Sequence, residues 1–185
     1  MIYSWKKIVR YSLPLLTLCV FIEIFAGQLL NSRQDLLIAL PIFLIAIPVI
    51  NGIAGNIGSI LGARLASGLH VGYINLDIKD GEMTENLLVS IVLGASTYAI
   101  LAILIYYVAL FGGIQMSIGL LEFTAIIMGA GFLLLCVICI VSVFTAFLSF
   151  KRGLDPDDMV APVVTTVGDT LGISLLFLFI GVIGV

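Results

Sequence analysis

Five long apolar stretches dominate this sequence, and the breaks between them coincide with charged or polar residues. They lie at about residues 11–30, 36–69, 87–111, 118–150 and 159–185. A helix needs about 20 predominantly apolar residues to cross the hydrocarbon core of a bilayer, which is about 30 Å thick. The pattern therefore predicts an all-α integral membrane protein with five transmembrane helices.

Charged residues are correspondingly scarce, with 8 Lys or Arg and 11 Asp or Glu among 185 residues. Soluble domains usually carry about 25% charged residues. The spans and their short loops use up the length, so we expect residues 1–185 to form one transmembrane domain without a cytosolic regulatory domain. The net charge of −3 excludes a basic surface for nucleic acid.

The basic residues predict the orientation of the spans, because cytosolic loops are enriched in Lys and Arg. Arg33 follows the first span, whereas the other seven basic residues fall on the opposite side. We therefore expect a multi-pass protein of the cell membrane with a cytosolic N terminus and an external C terminus. The longest cytosolic loop is then His70–Asn86. The seven residues are Lys6, Lys7, Arg10, Arg64, Lys79, Lys151 and Arg152.

Asp169 is the candidate metal-binding residue. It follows Met159 by ten residues, which corresponds to about 15 Å of helix and places it near the bilayer midplane. A charge at that depth costs about 2.5–3.5 kcal/mol on insertion scales, so it calls for a functional explanation. Glu23, in the outer half of the first span, is a weaker candidate for a pore or gating role. The small and polar residues that share a helix face with Asp169 are Pro162, Thr165, Thr166 and Gly172.

The second span carries a dense run of glycines and polar residues. Gly58-x-x-x-Gly62 is typical of close helix contacts, and packing alone would explain those glycines. Packing does not require the amide of Asn56, and irregular backbone at this depth must be buried or line water. The run comprises Asn51, Gly52, Gly55, Asn56, Gly58, Ser59 and Gly62.

A carboxylate near hydroxyl and amide groups suits a hard cation. If the chain dimerises about a twofold axis, two Asp169 carboxylates would offset one divalent charge. Mg²⁺ dehydrates reluctantly and fits a site with few protein ligands, whereas Ca²⁺ usually draws six to eight oxygens. The residues therefore favour Mg²⁺ as the ion at this site, and we expect no cofactor.

Two stretches carry a resemblance to a known family. The segment from Pro48 to Gly58 resembles the second membrane helix of the MgtE-type magnesium transporters and of their animal solute-carrier relatives. The second stretch is similar to the DP…P..TT..D..G pattern of the fifth helix in that family. Its matching residues are Asp155, Pro156, Pro162, Thr165, Thr166, Asp169 and Gly172.

The resemblance implies a homodimer with a pore along the dimer axis that passes Mg²⁺. It further implies that Asp169 is the central ion-binding carboxylate. The animal relatives contain two such halves in one chain, so a single half makes dimerisation nearly obligatory if the pore lies at the interface. The residues expected to line the pore are Gly55, Asn56, Gly58, Thr165, Thr166 and Gly172.

Seven carboxylates, which we name the inner acidic residues, fall in the predicted cytosolic loops. They would concentrate cations at the pore mouth or sense internal Mg²⁺. The alternative is that they form an ordinary solvated surface. They are Asp77, Asp80, Glu82, Glu85, Asp155, Asp157 and Asp158.

Three other functions compete with a Mg²⁺ pore. A proton- or sodium-coupled divalent cation exchanger would use Asp169 as a titratable carrier. A non-transporting assembly subunit would need the glycines but not Asp169. Enzyme activity is not expected: Gly168-Asp169 matches the Gly-Asp of intramembrane aspartyl proteases, but that chemistry needs a second midplane carboxylate.

Overall fold

The computed structural model describes residues 5–75, 81–115 and 117–184. In these ranges the chain forms six helices, and five of them are long and apolar enough to cross a membrane. The predicted class, an all-helical multi-pass membrane protein, is confirmed. The helices are α1 (Trp5–Ser32), α2 (Gln34–Ala39), α3 (Ile42–Val71), α4 (Gly81–Phe111), α5 (Leu120–Lys151) and α6 (Pro156–Ile183).

A break at Leu40 and Pro41 corrects the predicted second span of 36–69. The short helix α2 ends before these residues, and the 30-residue helix α3 begins after them. Pro41 has no N–H to donate and disfavours helical dihedrals in the residue before it. Leu40 accordingly has φ −126° and ψ 69°, outside the helical region. The predicted single span is therefore two helices.

The loop between α3 and α4 is shorter than the predicted His70–Asn86. Helix α3 continues to Val71 and closes on Gly72, whose φ of 86° is left-handed. Glycine adopts this conformation without the steric cost that other residues incur. Residues 70, 71 and 81–86 of the predicted loop are therefore helical, and they include His70, Glu82 and Glu85.

Helices α3, α5 and α6 pack against one another and form the centre of the protomer. Helix α4 covers α3 and α5, and α1 packs along α6. Helices α3 and α6 run antiparallel, since Asn51 faces Gly172 and Gly62 faces Val160.

Helices α1 and α6 run parallel. The Cys19 thiol approaches the Pro162 carbonyl oxygen at 3.7 Å, and Glu23 contacts Thr166 one turn further along both helices. The inner side is defined here as the side on which α1 and α6 begin and α3 ends. His70 and Asp155 meet there, with 3.8 Å between Nε2 and Oδ1.

Two buried hydroxyls fix α3 on its neighbours. Tyr98 of α4 donates a hydrogen bond to the Ile50 carbonyl oxygen at 3.0 Å. Ser142 of α5 donates one to the Gly58 carbonyl oxygen at 2.9 Å. Both donors are fully buried. Because hydrocarbon offers no competing partner, such bonds contribute to helix association in membranes. They hold α3 against α4 and α5, and α3 keeps an exposed strip that includes Gly52 and Asn56.

Candidate cation site

Asp169 lies at the centre of α6, 13 residues after Pro156 and 14 before Ile183. Its side chain is half-buried. Two polar residues from other helices interact with it, Asn51 of α3 and Glu23 of α1. The carboxylate predicted to bind the ion therefore lies where three helices meet.

Asn51 supports Asp169 from α3. Its Nδ2 donates a hydrogen bond to the Asp169 main-chain oxygen at 3.4 Å, and its side chain also interacts with the carboxylate. Asn51 is only 8% exposed, and its Oδ1 has no hydrogen-bond partner among the residues that the structure describes. A side chain at position 172 would collide with this oxygen, so Gly172 makes room for the amide.

Glu23 supports the site from α1. The Thr166 hydroxyl donates a hydrogen bond to Glu23 Oε1 at 3.0 Å. Thr166 is only 2% exposed, so this bond satisfies a polar group inside the protein. Thr166 precedes Asp169 by three residues, about one helical turn, so this bond brings the Glu23 carboxylate near that of Asp169. The membrane-embedded part of this protomer thus carries two neighbouring acidic groups.

Glycines bring α3 and α6 into close contact around these residues. A Cβ atom at Gly55 would lie 3.0 Å from Thr165 Cγ2. One at Gly58 would lie 2.6 Å from Ile138 Cγ2 and 2.9 Å from Val164 Cβ. This close approach sets the spacing of the helices that carry Asn51 and Asp169.

The predicted pore-lining residues separate into two groups in the protomer. Gly55, Gly58, Thr166 and Gly172 are buried in contacts between helices. Asn56 and Thr165 are exposed, and exposed Gly52 precedes Asn56 by one helical turn. We name the surface formed by Gly52, Asn56, Thr165 and Asp169 the polar face. The Thr165 hydroxyl donates to the Ala161 carbonyl oxygen at 2.9 Å, which leaves its lone pairs available.

The family model for MgtE divalent cation transporters matches residues 47–179 of the 185-residue chain. The chain belongs to the MgtE family. Comparisons with curated proteins and with solved structures give no match. The matched segment runs from α3 into the last turns of α6 and includes Asn56 and Asp169, whereas Glu23 precedes it. Membership identifies a multi-pass membrane protein of a divalent cation transporter family, which is not a family of enzymes.

The inner acidic residues of this MgtE protein are partly described. Asp77 and Asp80 lie outside the described residues. Glu82 and Glu85 are exposed at the start of α4. Asp155 caps α6 by accepting a hydrogen bond from the Asp157 N–H at 3.1 Å. Asp157 and Asp158 follow in the first turn, where negative charge favours the helix dipole. Helix capping therefore explains part of this acidic cluster.

Among the described residues, no three His, Cys, Asp or Glu side chains lie together as a potential metal site. The oxygen donors around Asp169 are its own carboxylate, the carboxylate of Glu23, the amide oxygen of Asn51 and, about one helical turn away, the hydroxyl of Thr165. These are all hard oxygen donors, the type that Mg²⁺ and Ca²⁺ prefer.

Asn51 has no predicted role beyond its place in the glycine-rich run. Its 118-residue separation from Asp169 hides the contact. The four-residue spacing of Asn51, Gly55 and Ser59 is a sequence signal that places Asn51 on a helix face with other small or polar residues.

Proposed function

We propose that this MgtE protein passes Mg²⁺ through a pore between two copies of the chain, with Asp169 at its centre. The observation that carries the proposal is the polar face, which exposes an amide, a hydroxyl and a carboxylate at the level of the membrane core. Hydrocarbon cannot hydrogen-bond these groups, so water or another protein surface must cover them.

A second copy of the chain is the occupant that fits this face best. Exposed Gly52 and Asn56 lie one helical turn apart on α3, and small residues allow close approach of a partner helix. In a twofold dimer the same residues of both copies would face one another. The two polar faces would then enclose a water-lined path along the axis.

Charge favours a divalent ion in this path. Each protomer contributes Asp169, and two carboxylates offset the charge of one Mg²⁺. Mg²⁺ keeps most of its water and binds through one or two carboxylates, so a path lined by few protein oxygens suits the hydrated ion. Membership of a divalent cation transporter family supports the same ion class.

The buried members of the predicted pore lining then have a supporting role. Gly58 and Gly172 make room for Ile138, Val164 and the Asn51 amide, and this packing holds α3 and α6 at the spacing of the path. We accordingly assign the lining to Asn56, Thr165 and Asp169. The N terminus is cytosolic in this proposal, so the inner side faces the cytosol.

Thiol labelling of Asn56→Cys tests the pore. The background has Cys19, Cys136 and Cys139 replaced by Ala, and it must transport like the wild type in liposomes. A charged, water-soluble thiol reagent should modify Asn56→Cys and slow Mg²⁺ flux, because water reaches this position.

The matched control is Ile100→Cys on α4, whose side chain is 65% exposed on the apolar surface. It should react slowly, and flux should not change. An unreactive Asn56→Cys, or modification without any effect on flux, contradicts the pore. Single-molecule photobleaching should count two subunits in each transporting particle, and monomers that carry flux contradict the dimer.

A further inference from the structure

Glu23 is a charged side chain within the first membrane-spanning helix. It lies 15 residues after Ile8 and nine before Ser32, the ends of the apolar segment of α1. Nine residues correspond to about 14 Å of helix, so the carboxylate is well inside the hydrocarbon region. A charge at this depth is costly and is usually paired or placed at an ion pathway.

Helix geometry turns Glu23 toward α6. Cys19 and Ala26 are buried, and they lie one turn before and one turn after Glu23 on the same face of α1. Cys19 contacts Pro162, and four residues further along both helices Glu23 contacts Thr166. These contacts fix the register of α1 on α6, and Glu23 lies at the level of the Asp169 site.

The hydrogen bond from Thr166 holds the Glu23 carboxylate in place. The donor hydroxyl is buried, and the Thr166 carbonyl oxygen in turn accepts from Thr170 at 2.9 Å. The nearby Asn51 contributes a buried Oδ1 that has no partner among the described residues. The surroundings of the two carboxylates therefore contain an oxygen acceptor with unused bonding capacity.

Two neighbouring carboxylates repel each other, and a cation that lies near both offsets this repulsion. A divalent ion offsets both charges at once, whereas a monovalent ion leaves one uncompensated. We propose that Glu23 is a second acidic determinant of the ion path, which Thr166 positions beside Asp169 so that divalent cations are favoured over monovalent ones. The inference rests on the proposed function and adds α1 to the elements that determine ion selectivity.

The test compares Glu23→Gln with wild type in liposomes. This substitution keeps the size of the side chain and an oxygen that accepts from Thr166, and it removes only the charge. Mg²⁺ influx is measured against Mg²⁺ concentration, with and without 150 mM KCl, a concentration on the order of physiological ionic strength. We expect the half-saturating Mg²⁺ concentration to rise roughly three- to tenfold. We also expect K⁺ to compete more strongly.

Glu122→Gln is the matched control. It makes the same chemical change at the start of α5, where Glu122 accepts a hydrogen bond from the Gly119 N–H at 3.0 Å, far along the chain from the site. It should leave the half-saturating concentration and the effect of K⁺ unchanged. A change of the same size in Glu122→Gln would overturn the inference, because removal of a distant charge would then suffice.

Thr166 provides a second pair of variants. Thr166→Val removes the hydroxyl that holds Glu23 and should shift both readouts in the same direction as Glu23→Gln. Thr166→Ser keeps the hydroxyl and should restore wild-type values. If Glu23→Gln does not yield folded protein, the inference is tested by the half-saturating Mg²⁺ concentration and the K⁺ competition of the two Thr166 variants.

The inference is overturned if Glu23→Gln has the half-saturating Mg²⁺ concentration and the K⁺ competition of the wild type. If Glu23→Gln does not fold, the same result in Thr166→Val overturns it. If Asp169→Asn removes Mg²⁺ flux while Glu23→Gln matches wild type, the inference alone fails and the proposed function stands. Absence of Mg²⁺ flux in the wild type overturns both.

Discussion

Gly58→Ala should destabilise the protein although it adds a single methyl group. The new Cβ would lie 2.6 Å from Ile138 Cγ2 on α5 and 2.9 Å from Val164 Cβ on α6. Both neighbours are fully buried and β-branched, so their χ1 angles are restricted inside a helix. Neither side chain can turn away, and α3 must move outward from two helices at once.

The expected cost follows from two opposing effects. Overpacking a well-packed interior typically costs 1–3 kcal/mol, and two stiff neighbours place this site at about 2–3 kcal/mol. Ala is favoured over Gly in a helix by about 1 kcal/mol. The net loss should be about 1–2 kcal/mol, which changes the folded-to-unfolded ratio about five- to 30-fold.

Unfolding in mixed micelles with an increasing fraction of sodium dodecyl sulfate measures this loss. Gly27→Ala is the control, because Gly27 is also inside a long helix and nothing lies within 4 Å of its added Cβ. It should be neutral or slightly stabilising. The packing account is wrong if Gly58→Ala unfolds at the same detergent fraction as Gly27→Ala.

Two further predictions concern the support of α3 and the inner side. Tyr98→Phe removes the 3.0 Å hydrogen bond to the Ile50 carbonyl oxygen and should lower the free energy of unfolding by about 0.6–1.7 kcal/mol in the same micelle titration. Unchanged stability would show that this bond does not hold α3 on α4. Conversion of all seven inner acidic residues to Asn or Gln should slow Mg²⁺ flux in liposomes roughly tenfold at low ionic strength and weaken inhibition by internal Mg²⁺. Unchanged rate and unchanged inhibition together would assign these residues to a solvated surface.

Much of the architecture was predictable because a bilayer permits few solutions. Five apolar stretches gave five spanning helices, since every backbone polar group in hydrocarbon must be satisfied within a helix or a closed barrel. Asp169 was conspicuous as a carboxylate far from either end of its span. Pro41 interrupts the predicted span 36–69, and the spanning helix α3 begins just after it, so the structure corrects the start of that span.

The partners of Asp169 were not predictable in the same way. Glu23 and Thr166 are 143 residues apart in the chain, and they meet because α1 packs against α6. Periodicity gives the face of a helix but not its neighbour. For the same reason the roles of Tyr98 and Ser142 were not predictable. Each is a polar residue in an apolar span, and only the structure shows that its hydroxyl donates to a carbonyl oxygen of α3.

Mg²⁺ flux into liposomes that contain purified wild-type protein or Asp169→Asn tests the central claim most directly. The substitution keeps the size of the side chain and removes the charge at the centre of α6. Wild type should pass Mg²⁺, and Asp169→Asn should reduce the rate at least about tenfold, which corresponds to about 1.4 kcal/mol. Equal Mg²⁺ flux from both proteins would contradict the account.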